Sequence, residues 1–270
     1  MNDFSKICHN IAQELMSSEL VEATRWQSVK APQPMLELLN YSLMLDCSES
    51  EDLDFYRREL LPNLPWADRH FEDERVSGDP VNPGKTWRIW PYSRSADTHR
   101  REGGVDPQFD HSYAERYWPK AAGTTPDGIL DTDKHSVRQG IRFPYGDLDD
   151  LVSVLASEPT TRQAYLPVWF PEDLGAAVQG KRVPCSLGYH FICRDDKLHM
   201  VYYLRSCDFV RHFRDDVYLS IRLLLWVLDQ CRWANPSMGW DEVTPGTFTM
   251  HITSLHCFQS DKTVLKNVQA

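Results

Sequence analysis

Two stretches, VPCSLGYHFICRDDKLHMVYYLRSCD at 183–208 and FRDDVYLSIRLLLWVLDQ at 213–230, decide the fold. The first contains two alternating apolar runs, at 186–193 and 198–206, separated by the short polar sequence RDDK. Alternation with period two predicts strands, and the turn-like link between the runs predicts a β-hairpin. The second stretch belongs to a long apolar segment at 215–233, which predicts a central helix.

The segments outside this region predict a mixture of helices and strands. Helices are expected at 3–19, 35–45, 48–61 and 145–159, and further strands at 85–90, 162–170 and 246–258. Residues 91–140 are polar and lack a regular apolar period, which indicates a large excursion from a compact domain. The sequence therefore predicts one α+β domain over 1–270, a mixed sheet packed by helices, with a polar insertion at about 91–140.

Composition limits the classes of function. A net charge of -10 argues against binding a nucleic-acid polymer, although a few arginines in one pocket could still hold a nucleotide. The apolar run LLLWVL at 223–228 is too short to span a membrane, and the N-terminus lacks the pattern of a secretory signal. Seven cysteines without a CxxC pair indicate reduced thiols in the cytoplasm and no structural metal site.

Cys185 is the candidate nucleophile. It follows a proline and precedes the first strand of the predicted hairpin. Arg182 lies three residues before Cys185, and Arg205 lies on the strand expected to pair with the strand that follows Cys185. A nearby guanidinium favours the reactive thiolate. The alternative is a buried and inert core cysteine, the commoner state of this residue.

Polar residues cluster where the second strand of the hairpin ends. The guanidinium of Arg205 and the hydroxyl of Ser206 suit phosphate oxygens, and Asp208 follows closely. Asp216 lies at the start of the long helix, where capping or pairing with the helix dipole is the alternative role. Asp215 could equally serve as that cap and leave Asp216 free.

These residues together resemble the thymidylate synthase superfamily. In that family a Pro-Cys segment carries the nucleophile, and a downstream Arg-Ser-x-Asp carries phosphate and folate contacts, as at 184–185 and 205–208 here. GDLDDLVSVLASEPTTRQAYLPVWFPED at 146–173 is similar to the family's helix and the strand that donates arginines to the neighbouring subunit. SLHCF at 254–258 is similar to the segment that contacts the sugar. The resemblance implies a homodimer that uses 5,10-methylenetetrahydrofolate.

Within the superfamily, the pattern is most similar to phage deoxycytidylate 5-hydroxymethylases. Aspartate stands at 216 where thymidylate synthases have asparagine, and Ser186 follows the cysteine where they have histidine. An ionised carboxylate can only accept hydrogen bonds, so it suits the 4-amino group of cytosine and opposes O4 of uracil. The resemblance therefore implies 5-hydroxymethylation of a cytidine monophosphate, dCMP or CMP.

The resemblance also implies a role for each site residue. The catalytic residues are Cys185 and Glu59, the residues binding the substrate are Arg162 (reaching the neighbouring subunit), Arg205, Ser206, Asp216 and His256, and the residue binding the folate is Asp208. Three positions depart from the family: Gln163 replaces a second arginine, Phe258 a tyrosine of the sugar site, and Pro83 a tyrosine that assists proton removal.

Two alternatives stay open. The first is methyl transfer to a pyrimidine nucleotide, or hydroxymethylation of dUMP. The second is a catalytically silent paralogue that binds nucleotides, against which the presence of both Cys185 and Glu59 speaks.

Overall fold

The computed structural model describes residues 4–21, 34–93, 109–122 and 146–269. The helices are α1 (Phe4–Ser17), α2 (Leu53–Leu60), α3 (Trp66–His70), α4 (Tyr113–Tyr117), α5 (Pro119–Ala122), α6 (Leu148–Ser157), α7 (Glu172–Val178), α8 (Phe213–Ala234) and α9 (Lys262–Gln269). The strands are β1 (Leu20–Val21), β2 (Met35–Asp46), β3 (Tyr165–Pro167), β4 (Ser186–Arg194), β5 (Lys197–Asp208) and β6 (Thr244–Phe258). A π-helical turn (Phe71–Arg75) and 3₁₀ turns (Lys85–Ile89, Pro236–Met238, Trp240–Glu242 and Gln259–Asp261) complete the described elements.

The described strands form one six-stranded sheet in the order β1-β2-β6-β5-β4-β3. Strands β5 and β6 run parallel and the other neighbours run antiparallel, so the sheet is mixed, as predicted. The predicted hairpin is β4–β5. Its two turn residues, Asp195 and Asp196, have φ of 53° and 54°, the left-handed backbone that a two-residue hairpin turn requires.

Helix α8 forms the centre of the core, as its apolar sequence predicts. Leu223, Leu224 and Val227 are fully buried, and the helix packs against β5 and β6 on one side and α6 on the other. The opposite face of the sheet is open in the single chain. It carries exposed apolar side chains, which include Leu39, Met44 and Tyr165.

The prediction of a helix at 35–45 was wrong, because this segment is strand β2. It pairs with β6 from Met35↔Phe258 to Asp46↔Thr247. Leucine, glutamate and methionine favour helices in isolation, but a long partner strand outweighs such local preferences. Asn40 interrupts the extended backbone with a φ of 55°, a conformation that asparagine tolerates better than most residues.

Two further predictions need correction. Residues 85–90 are not a strand: Lys85–Ile89 is a 3₁₀ turn that packs against α3, and its Thr86 N–H donates to the buried carboxylate of Glu74. The polar excursion at 91–140 contains helices α4 and α5 between 109 and 122, with Tyr117 fully buried. Most of the remaining excursion, 94–108 and 123–140, lies outside the described residues.

A buried ion pair joins the excursion to the domain. Arg116 of α4 donates from both terminal nitrogens to Asp173 of α7, at 2.7 and 3.0 Å. Both side chains are almost completely buried, and Asp173 also accepts the backbone N–H of Phe170. Removing one partner would take a two-fold, charge-assisted contact from the other buried side chain, which is costly.

We expect Asp173→Asn to lower the free energy of unfolding by about 3–5 kcal/mol, because the buried Arg116 loses its counter-charge. Asp54→Asn is the matched control: Asp54 also lies in a first helical turn and pairs with Arg57, but its side chain is 66% exposed. The control should cost less than about 1 kcal/mol. Urea denaturation of the two variants measures the difference, and equal losses would contradict the role of burial.

Candidate active site

Cys185 lies immediately before β4 and is partly exposed, whereas the other six cysteines are buried. Its sulfur is 3.8 Å from Nη2 of Arg205 and 3.6 Å from Oγ of Ser206. The backbone N–H of Arg205 also donates to the Cys185 carbonyl at 2.9 Å. The structure therefore brings together three of the predicted site residues around an accessible thiol.

The guanidinium of Arg205 is held by the segment that carries the cysteine. Its Nε donates to the Pro184 carbonyl at 2.8 Å, and its Nη2 donates to the Val183 carbonyl at 3.1 Å. The remaining nitrogen, Nη1, is 3.4 Å from the hydroxyl of Ser206. A fixed cation beside a hydroxyl and a thiol can stabilise an anion, either the thiolate or a phosphate.

The two acids at the start of α8 have different environments. Asp215 is buried and accepts hydrogen bonds from the backbone N–H and side-chain amide of Asn63, at 2.7 and 2.8 Å. Asp216 is partly accessible, and among the described residues its carboxyl has one hydrogen-bond partner, the thiol of Cys207 at 3.5 Å. Asp215 thus has a structural role, and Asp216 remains free to contact a ligand.

The protein environment raises the pKa of Asp216 to about 7. Burial is the main cause; the positive charge of Arg75 acts against it, and the negative charge of Asp215 adds to it. Near neutral pH the carboxyl is therefore a mixture of acid and carboxylate. The acid form has a hydroxyl that can donate a hydrogen bond to O4 of uracil. Asp216 therefore selects cytosine only at a pH high enough to ionise its carboxyl.

Tyr113 belongs to the site although sequence reasoning missed it. Its hydroxyl accepts a hydrogen bond from Ser186 Oγ at 3.0 Å, and Ser186 Oγ is 2.5 Å from the Tyr202 hydroxyl. Burial raises the pKa of Tyr113, and the charges of Cys185 and Asp216 raise it further. The sequence offered one weak signal, the capping box Ser112–Glu115 that begins helix α4.

Asp208 and His256 lie side by side on the parallel strands β5 and β6. The Asp208 carboxylate accepts the backbone N–H groups of Val210 and Arg211 at 3.0 and 3.1 Å, and burial raises its pKa to about 6. Burial lowers the pKa of His256, and its Nδ1 is buried without a partner in the described structure. An unpaired ring nitrogen of this kind is available to a ligand.

An aromatic wall lies next to Asp208. Trp90 stacks on His212 with ring centroids 4.8 Å apart, and Tyr92 packs against its edge at 5.5 Å. Burial raises the pKa of Tyr92, and the charge of Asp208 adds to this effect. The indole nitrogen of Trp90 is buried and has no hydrogen-bond partner in the described structure. The wall therefore combines flat surfaces with a free donor and a nearby acceptor.

Two predicted residues make no described contact with Cys185. Glu59 is exposed on α2, and the described structure gives it no hydrogen bond or ion pair. Arg162 lies near the far end of β4, where its carbonyl contacts His190 and its side chain lines a cavity of about 520 Å³ together with Arg194. At about 3.3 Å per residue, β4 separates this cavity from Cys185 by roughly 25 Å. The roles of both residues remain predictions.

No protein-family model matches the chain, but named relatives exist. A provisionally named thymidylate synthase of Methanosarcina barkeri is 27% identical over 138 residues, covering 50% of this chain and 58% of the relative. The corresponding protein of Methanococcoides burtonii is 27% identical over 180 residues, covering 64% and 76%. The thymidylate synthase of Rhodopseudomonas palustris is 25% identical over 181 residues, covering 64% and 54%. The match thus spans little more than half the length of two of these relatives.

Solved structures show the same architecture. Thymidylate synthase A of Bacillus subtilis superposes with a TM-score of 0.63 at 15% identity, covering 98% of this chain and 84% of that protein. The thymidylate synthase of phage T4 gives a TM-score of 0.61 at 14% identity, covering 100% and 81%. The fold is that of thymidylate synthase. At these identities the likeness concerns the arrangement of helices and strands.

Two features are absent from the described part of this thymidylate synthase fold. No cluster of three or more histidine, cysteine or acidic side chains converges as a metal site would require. None of the helices combines the length and apolar character needed to cross a membrane.

We expect iodoacetamide to modify Cys185 before any other cysteine of the protein, because the other six cysteines are buried. Peptide mass spectrometry at short reaction times locates the label, and Cys185→Ser should abolish the fast phase. Fast labelling of Cys193, one of the buried cysteines, would contradict the described exposure.

Proposed function

We propose that the protein hydroxymethylates carbon 5 of a cytidine monophosphate, dCMP or CMP, with 5,10-methylenetetrahydrofolate as the one-carbon donor. The observation that carries the proposal is the grouping of the accessible Cys185 thiol with the Arg205 guanidinium and the Ser206 hydroxyl, both within 4 Å of the sulfur. A thiol nucleophile, a fixed cation and a group that can read a base are what covalent chemistry on a pyrimidine needs.

In the proposed mechanism, the Cys185 thiolate adds to carbon 6 of the ring, which makes carbon 5 nucleophilic. Arg205 and Ser206 stabilise the thiolate and hold the phosphate, since both lie within 4 Å of the sulfur. The hydroxyl of Tyr113, bonded to Ser186, relays to water the proton that carbon 5 releases, giving up its own proton as it takes the new one. The one-carbon unit becomes an exocyclic methylene on carbon 5 with release of tetrahydrofolate, water adds to this methylene to give the hydroxymethyl group, and Cys185 is expelled from carbon 6. Glu59 remains the residue predicted to activate that water.

The residues around Asp208 suit a folate. A pterin ring needs a flat surface and an acceptor for its amino and ring N–H groups, and Trp90, Tyr92 and Asp208 offer these side by side. The unpaired indole nitrogen of Trp90 adds a donor. When bound, the folate supplies a one-carbon unit at the oxidation level of formaldehyde.

A homodimer completes the proposed site. Arg162 and Arg194 line a cavity at the end of β4 opposite to Cys185, so they cannot reach the phosphate of their own chain. The open sheet face, with exposed Leu39 and Met44, offers an apolar surface for a second copy. Arg162 would then serve the neighbouring subunit.

Uridylate modification, including methylation of dUMP, is the second candidate. It is favoured by the raised pKa of Asp216, because the acid form also complements uracil.

Product masses separate these candidates. The protein is incubated with methylenetetrahydrofolate and dCMP, CMP or dUMP, and the nucleotides are weighed by mass spectrometry. Transfer of a hydroxymethyl group adds about 30 Da to the nucleotide, and methylation adds about 14 Da. We expect the gain of about 30 Da on a cytidylate. Cys185→Ala is the control and should form no product, because the covalent step is lost. If none of the three nucleotides gained mass, the protein would be a silent binder.

Discrimination between the bases should depend on pH. We expect the ratio of the dUMP to the dCMP dissociation constant to rise about tenfold or more between pH 6 and pH 8, as Asp216 ionises through its pKa of about 7. The phosphate titrates equally in both ligands and cancels in the ratio. Calorimetry measures both constants. In Asp216→Asn the ratio should be independent of pH, and an unchanged pH dependence in that variant would assign the selection to another group.

A further inference from the structure

Arg75 is a buried cation without a carboxylate beside it. Its side chain is 4% exposed, and no ion pair joins it to an acid within the described residues. Its Nε donates to Nε2 of His70 at 3.0 Å, and its Nη1 donates to the Tyr117 hydroxyl at 3.4 Å. A buried charge is usually paired directly with an opposite charge. The hydrogen bonds of Arg75 to two neutral side chains therefore need a physical explanation.

The contacts behind Arg75 fix its position. His70 Nδ1 is 2.8 Å from the Glu74 carboxylate, whose other oxygen accepts the Thr86 N–H at 2.7 Å. Because Arg75 donates to Nε2, the imidazole must carry its proton on Nδ1 and donate it to Glu74. Burial lowers the pKa of His70, which agrees with a neutral ring. Glu74 thus holds Arg75 in place through a neutral histidine instead of by direct pairing.

The guanidinium of Arg75 contacts Tyr113 of the candidate active site. The centre of its guanidinium lies 4.4 Å from the ring centroid of Tyr113, which is a cation–π contact. The hydroxyl of the same tyrosine is bonded to Ser186, the neighbour of Cys185. The charge of Arg75 also lowers the pKa of Asp216 and of Tyr113, in opposition to burial.

We propose that Arg75 is a positioning residue of this site: its guanidinium orients the Tyr113 phenol beside Ser186 and supplies a positive charge that favours the carboxylate form of Asp216. The inference rests on the proposed function for its effect on turnover. Its effect on the ionisation of Asp216 does not depend on any substrate and can be measured on the protein alone. A direct carboxylate partner would cancel this positive field, and the intervening His70 avoids that cancellation.

The test is the titration of the Asp216 carboxyl, monitored by NMR in protein labelled with ¹³C at the aspartate carboxyls. The Asp216 signal is assigned as the one that disappears in Asp216→Asn. In Arg75→Met the midpoint should move upward by about one pH unit or more, because a nearby opposite charge that favoured the carboxylate is lost. Other charged or titratable groups face Asp216 and stay in place in both proteins: Asp215 on α8, Cys207, Asp208 and Tyr202 on β5, and Tyr113 on α4.

Arg222→Met is the matched control. Arg222 is also buried, at 6% exposure, and also lies over an aromatic ring, 4.5 Å from the centroid of Phe71. Its charge is paired with Asp68 and Glu72. This variant should lose stability without moving the Asp216 midpoint. If Arg75→Met does not fold, Arg75→Gln removes the charge and keeps an amide donor for His70.

Turnover gives the second readout. Arg75→Met should lower kcat on the nucleotide that the wild-type protein converts by tenfold or more, with a smaller change in KM, because proton transfer at Tyr113 is impaired. Arg75→Lys keeps the charge, so its Asp216 midpoint should stay near that of the wild type. An unmoved midpoint in both charge-free variants overturns the inference. Absence of turnover in the wild-type protein refutes the proposed function instead, and the titration still decides the role of Arg75.

Discussion

The pairing of β4 with β5 is the constraint on which the site depends. The Arg205 N–H donates to the Cys185 carbonyl, and the Arg205 side chain returns to the carbonyls of Val183 and Pro184. A shift of one residue between these strands would turn Arg205 into the core and Leu204 toward the thiol. The two-residue turn at Asp195 and Asp196 sets the register as far as the pair Gly188↔Tyr203, and an irregularity between Gly188 and Ser186 then shifts it by one residue to Ser186↔Leu204. Thus the turn at one end of the hairpin and this irregularity at the other together place Arg205 beside Cys185.

The parts of the fold that the sequence predicts well are those with a strong local pattern. The hairpin alternates with period two, and α8 contains the continuous apolar run LLLWVL, so the secondary structure of both can be predicted from local sequence alone. Strand β2 was misread because its leucines and methionines suit a helix, and the partner that makes it a strand, β6, lies more than 200 residues away. Sequence pattern carries little information about pairings at that distance.

The candidate site divides in the same way. Cys185, Arg205 and Ser206 were predicted because they lie on one hairpin, so their proximity follows from strand pairing. Tyr113 and Arg75 reach the site from a short helix and a π-helical turn, whose positions are determined by tertiary packing. Their side chains meet through a cation–π contact that has no signature in the sequence. The same limit applies to the different roles of Asp215 and Asp216, which only the position of Asn63 distinguishes.

The distance between Arg162 and Cys185 has a consequence for the protein at low concentration. In one chain the cavity with Arg162 and Arg194 and the thiol lie at opposite ends of β4. If a complete site combines one end from each of two copies, the number of complete sites follows mass action. On dilution below the dissociation constant of the dimer, activity per chain would then fall in proportion to the dimer fraction, although every chain stays folded. Assembly would thereby act as an on–off control without any change in the fold.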